Sequence, residues 1–146
     1  MAGLRGLFST GSAGAGSGPG LHDGRLRACP GAPCCVSTEA GRPSRRVAPI
    51  GYPGSRAEMR AILVDVLRSW PRTELVTVED DYIHVVQRSR WFGFPDDLEC
   101  HLPNDERLVH VRSAARVGWY DFGVNRARVE RLRRAVNQRL AHQAGP

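Results

Sequence analysis

The sequence lacks lysine altogether, so each of the 21 residues counted as lysine or arginine is an arginine. The formal net charge is +6 at pH 7, which is typical of proteins that bind nucleic acids or anionic membranes. An exclusive use of arginine is explained more simply by the codon composition of the source genome than by phosphate binding. The charge by itself therefore identifies no partner, and nucleic-acid binding ranks third among the functions predicted below.

Long apolar runs are also missing. No stretch of 18 apolar residues occurs, so no transmembrane helix is predicted, and the first 20 residues lack the apolar run of a secretory signal. The compartment stays open, with a cytoplasmic location as the default expectation. Residues 1–28 are predicted to be a flexible Gly/Ser-rich leader that buries too little surface to offset its chain entropy. Residues 29–141 form one predicted α+β domain, and 142–146 a tail.

Hydrophobic spacing predicts the element order α-β-β-β-β-α. Ser55 and Glu58 have the spacing of a capping box, and apolar residues then recur at steps of three and four until Pro71. Short connections between the following strands favour a four-stranded antiparallel meander with both helices on one face. The Cys/Pro-rich segment ahead of the first helix is predicted to be extended. The predicted strands cover residues 74–78, 82–90, 97–102 and 108–114, and the second helix about 125–141.

Strand alternation places the ionic residues together on the sheet face away from the helices. Pairing Arg88 with Glu99, and Glu99 with Arg112, satisfies both hairpins and alternates charge across three strands. The same register sets His101 opposite His110. The residues predicted to share this polar face are Tyr82, His84, Arg88, Arg90, Asp97, Glu99, His101, His110 and Arg112.

The cysteines and histidines suggest little metal chemistry. Cys29, Cys34 and Cys35 lack the paired spacing of a zinc site, so a structural role is favoured, with a disulfide from Cys29 to Cys35 or Cys34 in an oxidising compartment. A reactive thiol is the alternative. Cys100 has the parity of a core residue. Three histidines share the polar face, but solvated surface histidines are much commoner, so neither a metal nor a cofactor is predicted.

The segment from Arg112 to Arg126 is the most unusual part of the sequence. A strand leads through a glycine-containing aromatic loop to a helix start near Asn125, and a helix N-terminus with converging arginines can hold an anion. Carboxylates are nearly as numerous as arginines there, so a structural ionic network is favoured over an anion site. The cluster assigned to one role or the other comprises Arg90, Asp96, Asp97, Glu99, Arg112, Arg116, Asp121, Asn125 and Arg126.

Over about residues 25–136 the sequence resembles a bacterial and plastid family, the domain of unknown function 1499. The resemblance implies a shared fold and the same polar cluster, and it implies no reaction. Two positions depart from the family pattern, which has Asn at Cys34 and Ser at Ala115. The residues that carry it are Cys29-Pro30, Pro33, Cys35-Val36-Ser37, Ser89-Arg90, Phe94, Asp96-Asp97, Glu99, Arg112-Ser113-Ala114, Arg116-Val117-Gly118, Asp121, Gly123, Asn125-Arg126 and Arg128-Val129-Glu130.

The leading functional hypothesis is a non-enzymatic binding or accessory module that recognises a small anion or an acidic partner. Arginines of the cluster would supply charge, and Trp91, Phe92 and Trp119 apolar contact. No nucleophile with its base and orienting group is recognisable. The alternative is a small enzyme that uses Asp97 or Glu99 with a histidine, or Cys35 as nucleophile. Nucleic-acid binding, which requires a continuous basic stripe on the last helix, comes third.

Overall fold

The computed structural model describes residues 18–118 and 120–145. Two α-helices, one short 3₁₀ helix and eight β-strands are formed within these residues. The strands are β1 Leu21–His22, β2 Arg25–Leu26, β3 Cys35–Ser37, β4 Ile50–Gly51, β5 Thr73–Val78, β6 Tyr82–Arg88, β7 Pro95–His101 and β8 Leu108–Ala115. The helices are α1 Arg56–Arg68 and α2 Val124–Gln143, and the 3₁₀ helix is Pro43–Arg45.

Helix α1 begins where the sequence predicts it. The Ser55 hydroxyl accepts a hydrogen bond from the Glu58 N–H, and the Glu58 carboxylate accepts one from the Ser55 N–H, which completes the capping box. The apolar stripe of α1 is buried against the sheet and α2. Helix α2 is longer than predicted and begins after Gly123, whose positive φ of 79° suits a residue without Cβ.

The predicted four-stranded sheet is wrong in strand number, because the described part of the chain contains a six-stranded sheet and a separate two-stranded one. The large sheet has the order β3-β8-β7-β6-β5, and β4 also pairs with β8. The predicted meander β5 to β8 is present and antiparallel. The additional strands β3 and β4 pair with successive parts of the β8 edge, within a segment that was predicted only to be extended.

The predicted register is correct for one hairpin and wrong for the other. Glu99 is opposite Arg112 and His101 is opposite His110, but Glu99 pairs with His84 on the other side, and Arg88 pairs with Pro95 instead of Glu99. The β6–β7 turn is tighter than expected. Ser89 closes it with hydrogen bonds to Phe94 and Gly93, and Gly93 has a positive φ of 65°.

Both helices pack on one face of the large sheet, as predicted. The core contains the apolar residues of one strand parity together with the inner faces of α1 and α2. No helix in the described ranges is long and apolar enough to cross a membrane.

The opposite, polar sheet face is covered rather than solvated. Strands β1 and β2 form a hairpin, with Leu21 opposite Leu26, inside the segment predicted as a leader. Leu26 is buried, and the Gly20 N–H donates to the Glu99 carboxylate at 2.7 Å. Residues 18–28 therefore fold onto the domain; residues 1–17 of the predicted leader lie outside the described residues.

Candidate functional site

Glu99 and Arg112 form an ion pair at the centre of the covered sheet face. Their side chains are 0% and 1% exposed, and Arg112 Nη1 donates to Glu99 Oε2 at 3.0 Å. The other carboxylate oxygen accepts hydrogen bonds from the Tyr82 hydroxyl at 2.6 Å and the Gly20 N–H at 2.7 Å. Burial and the bond to Glu99 raise the pKa of Tyr82. The pair is buried and bound by other groups of the protein, so neither charge faces solvent.

Asp97 contacts a histidine and an arginine on the same face. Its Oδ1 is 2.7 Å from His84 Nε2, and its two oxygens accept from Arg116 Nη2 and Nε at 2.6 and 2.8 Å. Burial would raise the pKa of Asp97, but the hydrogen bonds from His84 and Arg116 outweigh it and lower that pKa to about 2. The same contact raises the pKa of Arg116. The three side chains therefore bind one another within the domain.

A second polar cluster lies on the helix side of the sheet, centred on Arg128. The Arg128 guanidinium donates to Gln87 Oε1 at 2.7 Å, to Ser113 Oγ at 3.0 Å and to Asp96 Oδ2 at 2.6 Å. It also donates to Asn125 Oδ1 at 2.6 Å. Burial raises the pKa of Asp96 against the opposing effect of Arg128. This cluster fastens the first turn of α2 to β6, β7 and β8.

Asn125 uses its full hydrogen-bonding capacity in that cluster. Its Oδ1 accepts from Ser113 and Arg128, and its Nδ2 donates to the Cys34 carbonyl at 3.0 Å and to Asp121 Oδ2 at 2.8 Å. The other Asp121 oxygen accepts from the Gly123 N–H. The sequence predicted Asn125 and Asp121 but missed Arg128. Its position on the apolar stripe of α2, one turn from Leu132, is the signal that would have identified it.

The three histidines of the polar face do not converge on one point. His84 contacts Asp97, and His110 contacts Thr38 and Glu106. His101 is buried, its Nδ1 has no hydrogen-bond partner among the described residues, and burial lowers its pKa. Among these residues no group of three or more His, Cys, Asp or Glu side chains is placed to hold a metal ion.

Cys29 and Cys35 form a disulfide, which is one of the alternatives that the sequence left open. Cys35 is therefore not a free nucleophile in this structure. Cys34 and Cys100 are free and buried; burial raises the pKa of both, that of Cys100 to about 12. A buried thiol with a raised pKa is a poor nucleophile, so Cys100 is a core residue as predicted.

A cavity of about 320 Å³ opens beside the disulfide at the N-terminus of α2. Three arginines contribute to its wall, and we call it the helix-end cavity. Arg126 is tied to the carbonyls of Arg46 and Ser44, and Arg45 to those of Pro30 and Gly31. The cavity is lined by Pro33, Cys35, Val36, Arg42, Ser44, Arg45, Tyr120, Asp121, Gly123 and Arg126.

Arg42 differs from the other two arginines of this cavity. Its guanidinium makes no hydrogen bond or ion pair within residues 18–118 and 120–145, and the residue is exposed. Arg42 and Arg45 also line a neighbouring cavity of about 330 Å³ that includes Cys29. Neither arginine was predicted from the sequence, because their position depends on how the segment between β3 and β4 folds back towards α2.

The predicted ionic cluster is thus divided between different places. Asp97, Glu99 and Arg112 lie together on the covered face, as strand parity predicted, and Arg116 contacts Asp97 there. Asp96 and Asn125 lie on the helix side with Arg128, and Asp121 and Arg126 line the helix-end cavity. Arg90 lies in none of these three places. Its guanidinium stacks over Trp91 at 5.1 Å, and the residue lines a depression of about 450 Å³ with Arg72 and Arg88.

Comparison with known proteins agrees with the resemblance seen in the sequence. The family model described as a protein of unknown function (DUF1499) matches residues 25–136. This range runs from β2 through the first three turns of α2. It includes the disulfide, the arginine contacts of Glu99, Asp97 and Asp96, and the helix-end cavity. No curated protein matches the chain.

Proposed function

We propose a function from the premise that this chain belongs to the DUF1499 family, whose description assigns no activity. The domain is a non-enzymatic module that binds a small phosphate- or carboxylate-bearing ligand. The helix-end cavity is the proposed site. The observation that carries the proposal is the convergence of Arg42, Arg45 and Arg126 on one cavity.

The charge of this cavity favours an anion. Three arginines and one carboxylate, that of Asp121, give its lining a net formal charge of +2. Both Asp121 oxygens already accept hydrogen bonds from Gly123 and Asn125. The cavity also lies at the positive end of a 20-residue helix whose N-cap is a glycine without a capping side chain. Guanidinium groups suit the planar, bidentate recognition of phosphate and carboxylate.

The ion-pair networks support a binding role less than the cavity does. Arg112 and Arg116, which the sequence placed in the anion site, contact Glu99 and Asp97. Their charge is therefore neutralised inside the domain. The proposed site keeps Arg126 from the predicted set and adds Arg42 and Arg45.

The enzymatic alternative has one observation in its favour, the 2.7 Å contact between His84 and Asp97. Both side chains are almost fully buried, at 8% and 5% exposure, and neither lines the helix-end cavity. A general acid or base must come within hydrogen-bond reach of its substrate. We therefore do not propose acid–base chemistry for this pair.

Isothermal titration with pyrophosphate and with citrate tests the proposal. We expect binding of at least one of these anions, weakened about tenfold or more in Arg42→Gln because a charge-assisted hydrogen bond is lost. Arg134→Gln is the matched control, since Arg134 is exposed on α2 two turns beyond Arg126. Absence of heat with both anions, or equal affinities of Arg42→Gln and Arg134→Gln, would overturn the proposal.

A further inference from the structure

Exposed apolar side chains are concentrated at one end of the domain. In the described part of the chain, nine large hydrophobic side chains are exposed, and seven of them lie between β6 and β7 or between β8 and the start of α2. Five are aromatic and are called the aromatic tip here: Trp91, Phe92, Phe94, Tyr120 and Phe122. Trp119, which the sequence predicted as an apolar contact, lies outside the described residues.

The two loops that carry the aromatic tip leave the same end of the sheet. Arg88 is opposite Pro95, and Asp96 is opposite Ala115. The Arg116 N–H donates to the Pro95 carbonyl at 3.2 Å, which joins the two loops directly. Within the loops the Phe92 and Phe94 rings stack at 5.4 Å, and Tyr120 meets Phe122 edge-on at 4.8 Å.

The exposure of these rings has no explanation in folding. Trp91, Phe92 and Phe122 are 81%, 77% and 86% exposed, so they contribute little to the core. Phe122 also has a φ of 52°, an unfavourable conformation for a bulky residue, held by a turn in which Asp121 accepts from the Gly123 and Val124 N–H groups. Six of the ten aromatic residues in the sequence fall within residues 89–94 and 116–123. Exposed apolar clusters of this kind mark interaction surfaces.

Positive charge surrounds the aromatic tip. Arg90 stacks on Trp91 and lines a depression with Arg72, Arg88 and Glu74; Arg116, which pairs with Asp97, begins the second loop. Residues 89–94 contain no carboxylate, and residues 116–123 contain only Asp121, which is engaged with Gly123 and Asn125. A surface with protruding aromatic rings and more arginines than carboxylates beside them complements a negatively charged partner.

We propose that the aromatic tip docks the domain onto an anionic lipid bilayer, with its rings in the interfacial region and the flanking arginines among the lipid head groups. Aromatic side chains prefer that region, and stable peripheral binding takes an apolar and a basic signal together. Trp91, Phe92 and Phe122 protrude from loops and line none of the cavities described above, which suits a soft, flat surface better than a peptide.

The aromatic tip and the helix-end cavity share Tyr120, but the two proposals depend on different residues. The membrane surface needs the aromatic rings, whereas the helix-end cavity needs Arg42. Substitutions at Trp91 and Phe92 should leave pyrophosphate and citrate binding unchanged, and Arg42→Gln should leave membrane binding largely unchanged.

Co-sedimentation with vesicles tests the inference on the full chain. Vesicles of phosphatidylcholine and phosphatidylglycerol in a ratio of about two to one should retain the protein, and vesicles of phosphatidylcholine alone should retain it several-fold less. The double variant Trp91→Ser/Phe92→Ser should bind the anionic vesicles about tenfold more weakly or worse. Arg90→Gln should lower the affinity about fivefold.

The matched control is Val76→Ser/Val78→Ser, which removes two exposed apolar side chains from β5 and should bind vesicles like the natural chain. No binding to anionic vesicles overturns the proposal, as does binding that both double variants retain equally. Light scattering at increasing protein concentration adds a further outcome. If the natural chain self-associates through Trp91 and Phe92 and ignores vesicles, the tip joins copies of the chain and the membrane role is excluded.

Discussion

At the scale of single residues, most charged groups of this domain are bound to partners within it. Glu99, Asp97 and Asp96 each face an arginine on a different part of the sheet. The sequence favoured an ionic network over a ligand site for these residues, and that interpretation stays a prediction. Oppositely charged partners within hydrogen-bonding distance contribute to stability only while both stay ionised and enclosed. Their effect should therefore appear in the pH dependence of unfolding.

Asp97→Asn should lower the free energy of unfolding by about 2–3 kcal/mol at pH 7, because a pKa of about 2 in the folded state lies well below the value near 4 of an unfolded chain. The contribution is complete above the unfolded pKa and disappears as the pH falls through the folded one. The difference between the variant and the natural chain should therefore shrink between about pH 4 and pH 2.

Urea denaturation at a series of pH values measures this effect. The exposed Asp105, which makes no hydrogen bond or ion pair among residues 18–118 and 120–145, supplies the control Asp105→Asn. If Asp97→Asn and Asp105→Asn have the same stability at neutral pH, the contacts of Asp97 with His84 and Arg116 contribute nothing to folding.

At the scale of secondary-structure elements, the sequence predicted what depends on local pattern. The capping box and the spacing of Met59, Ile62 and Leu63 define α1, and alternation with short turns defines β5 to β8. Strands β3 and β4 escaped because their pairing with β8 is long-range and each is only two or three residues long. The β1–β2 hairpin had a local signal that was missed: Asp23-Gly24 has positive φ angles of 49° and 73°, as the two-residue hairpin turns require.

Arg128→Met should weaken the attachment of α2 to the sheet. The loss is expected to be about 3–5 kcal/mol at pH 7, since Asp96 is left as a buried charge without its partner. Because burial already raises the pKa of Asp96, protonation favours the folded variant. The deficit should therefore decrease as the pH falls through the folded-state pKa of Asp96.

Chemical denaturation of Arg128→Met at neutral and mildly acidic pH tests this expectation, together with the double variant Asp96→Asn/Arg128→Met. The double variant should recover much of the stability at neutral pH. A deficit that is independent of pH and not relieved by Asp96→Asn would show that Arg128 acts through packing alone.

The disulfide between Cys29 and Cys35 should stabilise the segment before β3 by about 2 kcal/mol, which is the loop-closure effect of so short a ring. Cys29→Ser should lose this stability and become insensitive to dithiothreitol in urea denaturation, whereas the natural chain should weaken on reduction. An unchanged denaturation midpoint after reduction would contradict the expectation. Disulfides persist in oxidising compartments, so this bond favours such a compartment over the cytoplasmic location expected by default; the location stays a prediction.

At the scale of the whole molecule, the net charge of +6 does not form a free basic stripe along α2. Arg126 and Arg133 contact backbone carbonyls, Arg131 stacks over Trp70, and Arg139 pairs with Asp65. These contacts reduce the case for nucleic-acid binding, which required a continuous stripe. Some of the arginines without a carboxylate partner lie in the helix-end cavity and beside the aromatic tip, where the two proposals place anionic ligands.

The N-terminal hairpin decides where the folded domain begins. The free energy of unfolding of a chain that starts at Arg27 should be about 2–4 kcal/mol lower than that of a chain that starts at Gly18. The shorter chain loses the burial of Leu26 and the Gly20 hydrogen bond to Glu99. Urea denaturation of both chains measures the difference, and Leu26→Ser in the full chain isolates the apolar part. Equal stabilities would place the domain boundary near residue 29, as the sequence predicted. A large difference would show that the buried Glu99–Arg112 ion pair needs the hairpin above it. Without the hairpin, the Glu99 carboxylate loses its third hydrogen-bond donor and is open to water, which weakens its contact with the arginine.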